Sequence, residues 1–70
     1  MKISARNQLK GKVIQVHKGS VNTEVIIELA PGVTITSIIT KTSAEDLGIE
    51  VGKTVYAVVK ASNVIVGVDH

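Results

Sequence analysis

Seventy residues with no cysteine, a single aromatic and a net charge of +2 describe one small domain, and they remove several functions at the outset. The missing cysteines exclude disulfides and thiolate metal sites, and His17 and His70 are too few and too far apart to argue for zinc. No apolar run approaches the ~20 residues that cross a bilayer, and the amino terminus has no signal-like apolar region, so a cytoplasmic protein is expected.

Charge is unevenly placed. Lys2, Arg6, Lys10, Lys12 and Lys18 fall in residues 1–18 with no acid among them, whereas Glu24, Glu28, Glu45, Asp46 and Glu50 share the middle of the chain with Lys41 alone. Anions should be drawn to the first region. It opens on Ile3-Ser4-Ala5-Arg6-Asn7-Gln8-Leu9-Lys10-Gly11, which gathers a hydroxyl, a guanidinium, two carboxamides and an ammonium without a carboxylate. Arginine and lysine only donate hydrogen bonds, so a cluster of this kind wants an acceptor from outside.

Leu9 to Val16 reads as a strand, with Leu9, Gly11 and Val13 on one face and Lys10 and Lys12 on the other. Lys18-Gly19-Ser20 is a turn. Val21, Thr23, Val25, Ile27 and Leu29 then alternate against Asn22, Glu24, Ile26 and Glu28, the period of a half-buried strand. Ala30-Pro31-Gly32 reads as a hairpin turn. Beyond it Val33, Ile35, Ser37 and Ile39 alternate against Thr34, Thr36, Ile38 and Thr40, so the two strands should pair antiparallel. Thr42 to Gly48 predicts a short helix. A hydroxyl followed three residues later by Glu45 has the form of a capping box, the acids suit the helix dipole, and Gly48 supplies a stop. After a turn at Glu50-Val51-Gly52-Lys53, Thr54 to Lys60 is a strand with Val55, Ala57 and Val59 inward, and Asn63 to Val68 is a fifth.

This order is all-β: an OB-like five-stranded barrel with one short helix between strands 3 and 4. An SH3-like barrel is the alternative, and the helix position favours the OB type. A chain this small, with neither Phe nor Trp, has little core to stabilise a monomer. Ile26, Ile38 and Val58 fall on faces opposite the core, and Val64 to Val68 is apolar on both faces, so association between subunits is expected.

Catalysis has no candidate set: the acids fall on exposed strand faces or in the helix, and no serine has a nucleophile-elbow context. No glycine-rich phosphate loop is present. A small OB-fold nucleic-acid-binding module is one reading, but single-strand binding by such folds leans on aromatic platforms, and Tyr56 stands alone. An oxyanion fits the residues better. A tetrahedral dianion without protons asks for a cage of donors only. Ser4, Arg6, Ser43 and Lys60 supply hydroxyls, a planar fork and a point charge, while Ala5 and Ala61 leave backbone N–H groups open to a ligand. Ser43 lies at the start of the expected helix, where N–H groups favour negative charge. Lys60-Ala61-Ser62-Asn63 repeats the cation, small residue, hydroxyl and amide of the opening stretch.

The run Ser4 to Gly11, Ser43 shortly before Leu47-Gly48, and Lys60-Ala61-Ser62 ahead of a short apolar strand resemble, from end to end, the molbindins, the small Mop-domain proteins described as molybdenum–pterin-binding proteins. The resemblance implies a free-standing single Mop domain over residues 1–70. It also implies a homo-hexamer, a trimer of dimers, that holds molybdate or tungstate between subunits for intracellular molybdenum storage and homeostasis. By motif position Ser4, Arg6, Lys60 and Ala61 form one subunit's share of a site, and Ser43 reaches in from a neighbour. A second class of site near a three-fold axis is implied as well, with Lys18, Gly19 and Ser20 as candidates. A bare metal cation is not expected, and a pterin ring would lack an aromatic sandwich here.

Overall fold

A computed structural model describes residues 1–69, and four strands, one short helix and a single 3-10 turn account for its regular structure. The strands are β1 (Asn7–Lys18), β2 (Asn22–Ala30), β3 (Val33–Thr40) and β4 (Thr54–Val59). The helix α1 (Lys41–Asp46) follows β3, and the 3-10 turn (Ala61–Asn63) follows β4. All strand pairs are antiparallel, in the order β3-β2-β1-β4, and the sheet curls into a half-barrel. His70, set against His17 above, lies outside the described residues. No helix among the described residues is long and apolar enough to cross a membrane.

The curl is made by β1, which changes partner along its length. Asn7 to Lys12 pair with β4, and Lys12 to Lys18 pair with β2. Where it leaves β4, Val13 stays tied to the loop before that strand: its N–H donates to the Lys53 carbonyl (2.9 Å) and its carbonyl accepts from Gly52 (2.8 Å). Val13 is 0% exposed at the centre of a core of Val25, Ile27 and Ala57. Gly11 lets the strands close over that core. A Cβ there would meet Ile27 Cγ2 at 2.6 Å and the Glu28 carbonyl oxygen at 2.7 Å.

Strict alternation along β1 would place Gln15 and His17 inward. The pairing instead skips one residue, from Val13 opposite Ile27 to Gln15 opposite Ile26, so Ile14 is the extra residue of a bulge. Parity flips there, and Val16 rather than Gln15 packs against the core. The same device recurs at Leu29, between the pairs Glu28–Thr34 and Ala30–Val33. The inward faces expected for β2 and β4 are observed, with Thr23, Val25, Ile27 and Ala57 buried.

Two expectations need correction. The helix begins two residues earlier than its expected box, with Thr40 as the N-cap, its Oγ1 accepting from the Ser43 N–H at 3.0 Å. Glu45 and Asp46 therefore lie in the last turn and not at the favoured end of the dipole. A threonine closing a strand is already extended, as an N-cap must be, so the cap and the end of β3 are one residue. Gly48 does stop the helix: at φ 63° it donates to the Glu45 carbonyl while Ile49 donates to that of Ala44, the paired bonds of a Schellman motif. The Lys53 ammonium adds hydrogen bonds to the carbonyls of Leu47 and Gly48.

The fifth strand, expected over Asn63–Val68, is not formed. Ala61–Asn63 make the 3-10 turn, and residues 64–69 run on without strand pairing, Ile65 being 94% exposed. Alternation reports the capacity to pair, but a strand also needs a partner, and within this chain the segment pairs with neither edge of the sheet. The sheet therefore has four strands, with β3 and β4 as its edges.

Candidate functional site

The pairing of β1 with β4 brings the two donor-rich stretches together. Asn7 lies opposite Val59 and Gln8 opposite Val58, so Ser4–Arg6 and Lys60–Ser62 leave the sheet side by side at one end. Gln8 Nε2 donates to the Ala5 carbonyl at 2.8 Å and closes the opening stretch into a turn. Ser4, Arg6 and Lys60 are all exposed. None of their side chains enters the side-chain hydrogen bonds formed among the described residues.

Lys60 precedes the 3-10 turn in an extended conformation and gives it no side-chain cap. The turn uses the N–H groups of Asn63 (to Lys60 O, 2.8 Å) and Val64 (to Ala61 O, 3.2 Å). Those of Ala61 and Ser62 are left at its start, as the first N–H groups of any helical turn are. Ala61 has no bulk beyond Cβ to shield them. One end of the β1–β4 pair thus carries a guanidinium, an ammonium, hydroxyls and backbone N–H groups, which is a donor set fitted to a deprotonated oxyanion.

Ser43 lies elsewhere. It sits on α1, which is anchored at the opposite end of the sheet: the Lys41 N–H donates to the Val21 carbonyl (2.9 Å) and Thr40 lies opposite Asn22. Twelve residues of β1 separate the two ends, about 36 Å of strand contour before bending, and the whole chain measures 39 Å along its longest axis. No side-chain hydrogen bond among the described residues joins Ser43 to that chain's own Arg6 or Lys60.

The Lys18-Gly19-Ser20 turn stands near α1. The Gly19 N–H is taken by the Asn22 carbonyl at 2.8 Å, so this turn offers the Lys18 ammonium and Ser20 rather than a full run of amides. Lys18 and Lys41 line an open cavity of about 310 Å³ together with Glu45 and Glu50, a mixed-charge setting unlike the donor set at the other end. A second cavity of about 410 Å³ is apolar, walled by Val25, Ile27, Ile39, Ile49 and Val55 with Tyr56 at its side. It is the open mouth of the half-barrel. The residue overlooked in the sequence is Thr40, whose hydroxyl holds both the N–H and the Oγ of Ser43. The Thr-x-x-Ser spacing was its only signal, masked by the hydroxyls of Thr42 and Ser43 beside it.

The fold belongs to a known class. A model of the TOBE domain matches residues 3–66, and the chain belongs to that family. Within it, molybdenum-pterin-binding protein 3 of Clostridium pasteurianum is 53% identical over 66 residues, covering 94% of this chain and 97% of that relative. Among solved structures, MopII from Clostridium pasteurianum superposes with a TM-score of 0.90 at 51% identity, over 96% of this chain and 100% of that one. The cytoplasmic molybdate-binding protein ModG, solved with molybdate bound, superposes with a TM-score of 0.92 at 46% identity, over 99% of this chain and 49% of ModG.

Proposed function

We propose that this protein, whose residues 1–70 form one Mop domain, is a molybdate- and tungstate-binding protein of the cytoplasm. It stores and buffers the oxyanion, without catalysing a reaction, in sites between subunits of a homo-hexamer built as a trimer of dimers. Ser4, Arg6, Lys60 and the Ala61 N–H come from one chain, and Ser43 from its neighbour. Lys18, Gly19 and Ser20 are kept as the second class of site. The observation that carries the reading is the β1–β4 register, which sets Ser4–Arg6 beside Lys60–Ala61 while Ser43 stands at the far end of the sheet. In this reading a site using all of them joins two chains.

The relatives support the ligand, since ModG was solved with molybdate. Exposed apolar residues at Ile38, Val58 and Val64–Val68 support the association. Tyr56 is the single aromatic, which favours an anion over a pterin ring or stacked bases.

Mixing tests the arrangement. Arg6→Ala removes the fork from one half-site, and Ser43→Asp sets a carboxylate against the anion in the other, so each variant alone should lose molybdate binding. Refolded together in equal amounts and randomly assembled, they should recover about one quarter of the wild-type sites, where an intact Arg6 half meets an intact Ser43 half. Calorimetric stoichiometry reads that fraction. No recovery in an assembled mixture overturns the shared site.

A further inference from the structure

We infer that Thr40 is a positioning residue that holds the Ser43 hydroxyl in place toward the oxyanion. The inference rests on the proposed function, in which Ser43 is the neighbour's contribution to the site. Its starting point is a pair of bonds at the junction of β3 and α1. Thr40 Oγ1 accepts from the Ser43 N–H at 3.0 Å, and the Thr40 and Ser43 hydroxyls are hydrogen-bonded to each other, Oγ1 to Oγ, at 2.8 Å.

An unheld serine hydroxyl swings among three rotamers. Ser43 is bonded to one Thr40 oxygen through both its amide and its Oγ, and no other side-chain hydrogen bond among the described residues engages that Oγ. A hydroxyl has one proton and two acceptor positions, so Ser43 keeps capacity to meet a ligand beyond its bond to Thr40. When Ser43 donates to an oxyanion, Thr40 can donate to Ser43 in turn, and each bond of that relay polarises the next.

The relay is held by the sheet as well as by the helix. Thr40 is the last residue of β3, opposite Asn22, and the next amide, Lys41, is tied to the Val21 carbonyl. The position of the Ser43 hydroxyl is thereby referred to β2 and β3 rather than to a helix of six residues.

A double-mutant cycle separates this role from plain helix capping. Thr40→Gly removes the hydroxyl yet leaves a tolerated N-cap residue, and Thr40→Ser restores the hydroxyl. Molybdate and phosphate affinities are measured by calorimetry on the assembled protein, with thermal melts in the absence of anion to record the cap. If Thr40→Gly does not melt cooperatively, Thr40→Asn, whose carbonyl still accepts from the Ser43 amide, takes its place. Ser43→Ala should raise the molybdate Kd about tenfold and Thr40→Gly about fivefold. Thr40→Gly added to Ser43→Ala should change it less than about twofold further, since a residue acting through Ser43 has nothing left to act on. Thr40→Ser should match wild type. A double variant that loses about the product, near fiftyfold, overturns the relay, as does a Thr40→Gly protein that binds like wild type. Failure of the underlying site has its own signature: a Ser43→Ala protein that binds normally removes Ser43 as a ligand, and Thr40 with it.

Discussion

Gly11→Ala puts the packing of β1 on β2 to a quantitative test. The added Cβ falls 2.6 Å from Ile27 Cγ2, 2.7 Å from the Glu28 carbonyl oxygen and 3.1 Å from Leu29 Cδ2, where unstrained carbon contacts begin at about 3.5 Å. Ile27 is a core residue and cannot swing outward, and the Glu28 carbonyl belongs to the backbone of the paired strand. The two strands must therefore separate locally by close to an ångström. Overpacking of this kind costs about 1–3 kcal/mol. Alanine returns about 0.4–1 kcal/mol by restricting the unfolded chain, so a net loss of about 1–2 kcal/mol is expected. At about 4–8 °C per kcal/mol for a domain of this size, Tm should fall by roughly 5–15 °C. Gly67→Ala is the control, since nothing lies within 4 Å of its Cβ position. Thermal melts at one protein concentration, with urea titrations beside them, read both. A Gly11→Ala protein melting within about 2 °C of wild type would refute the packing argument.

Arg6→Ala should cost about 2–5 kcal/mol of molybdate affinity by calorimetry, and Arg6→Lys should also weaken binding because an ammonium lacks the planar fork. Normal binding by Arg6→Ala would mean that the opening stretch has been misread. Phosphate should bind far more weakly than molybdate near neutral pH, because its remaining proton faces donors, and equal affinities in competition titrations would contradict the donor-only cage. Tm should rise with both protein and molybdate concentration, each site adding about 2.7 kcal/mol of stability at a hundredfold excess over Kd. Sedimentation at micromolar protein should show an assembly, and a compact monomer with and without molybdate would overturn it.

Much of the sheet was legible because β2 and β3 alternate cleanly over Thr23–Leu29 and Thr34–Thr40, where a period of two has one physical explanation. The bulge at Ile14 was not legible: Val13-Ile14 followed by Gln15-Val16 reads equally well in either parity, and only pairing decides it. The helix was placed within two residues, but its cap was assigned to Thr42 or Ser43 because three hydroxyls crowd Thr40–Ser43 and local spacing cannot rank them. The fifth strand was overread, since Val64–Val68 has the composition of a strand but pairs with no strand of its own chain. For the site, the inventory of donors was plain from Ser4, Arg6 and Lys60. Their adjacency depended on a register between residues more than 50 positions apart in sequence, which no local pattern encodes.

The outer edge of β3 has a consequence for how the chain survives its own synthesis. Val33–Thr40 is uncharged, and every residue in it except Ser37 is β-branched, so one side of an eight-residue ladder stands open with none of the lysines, prolines or inward charges that usually blunt such edges. Segments of that composition stack into fibrils when left bare. Pro31 before it and Lys41 after it are the only gatekeepers. A newly made copy is thus under a time limit. In the proposed assembly a partner has to cover this edge before an identical edge finds it, and overproduction at low solubility is where that race is lost.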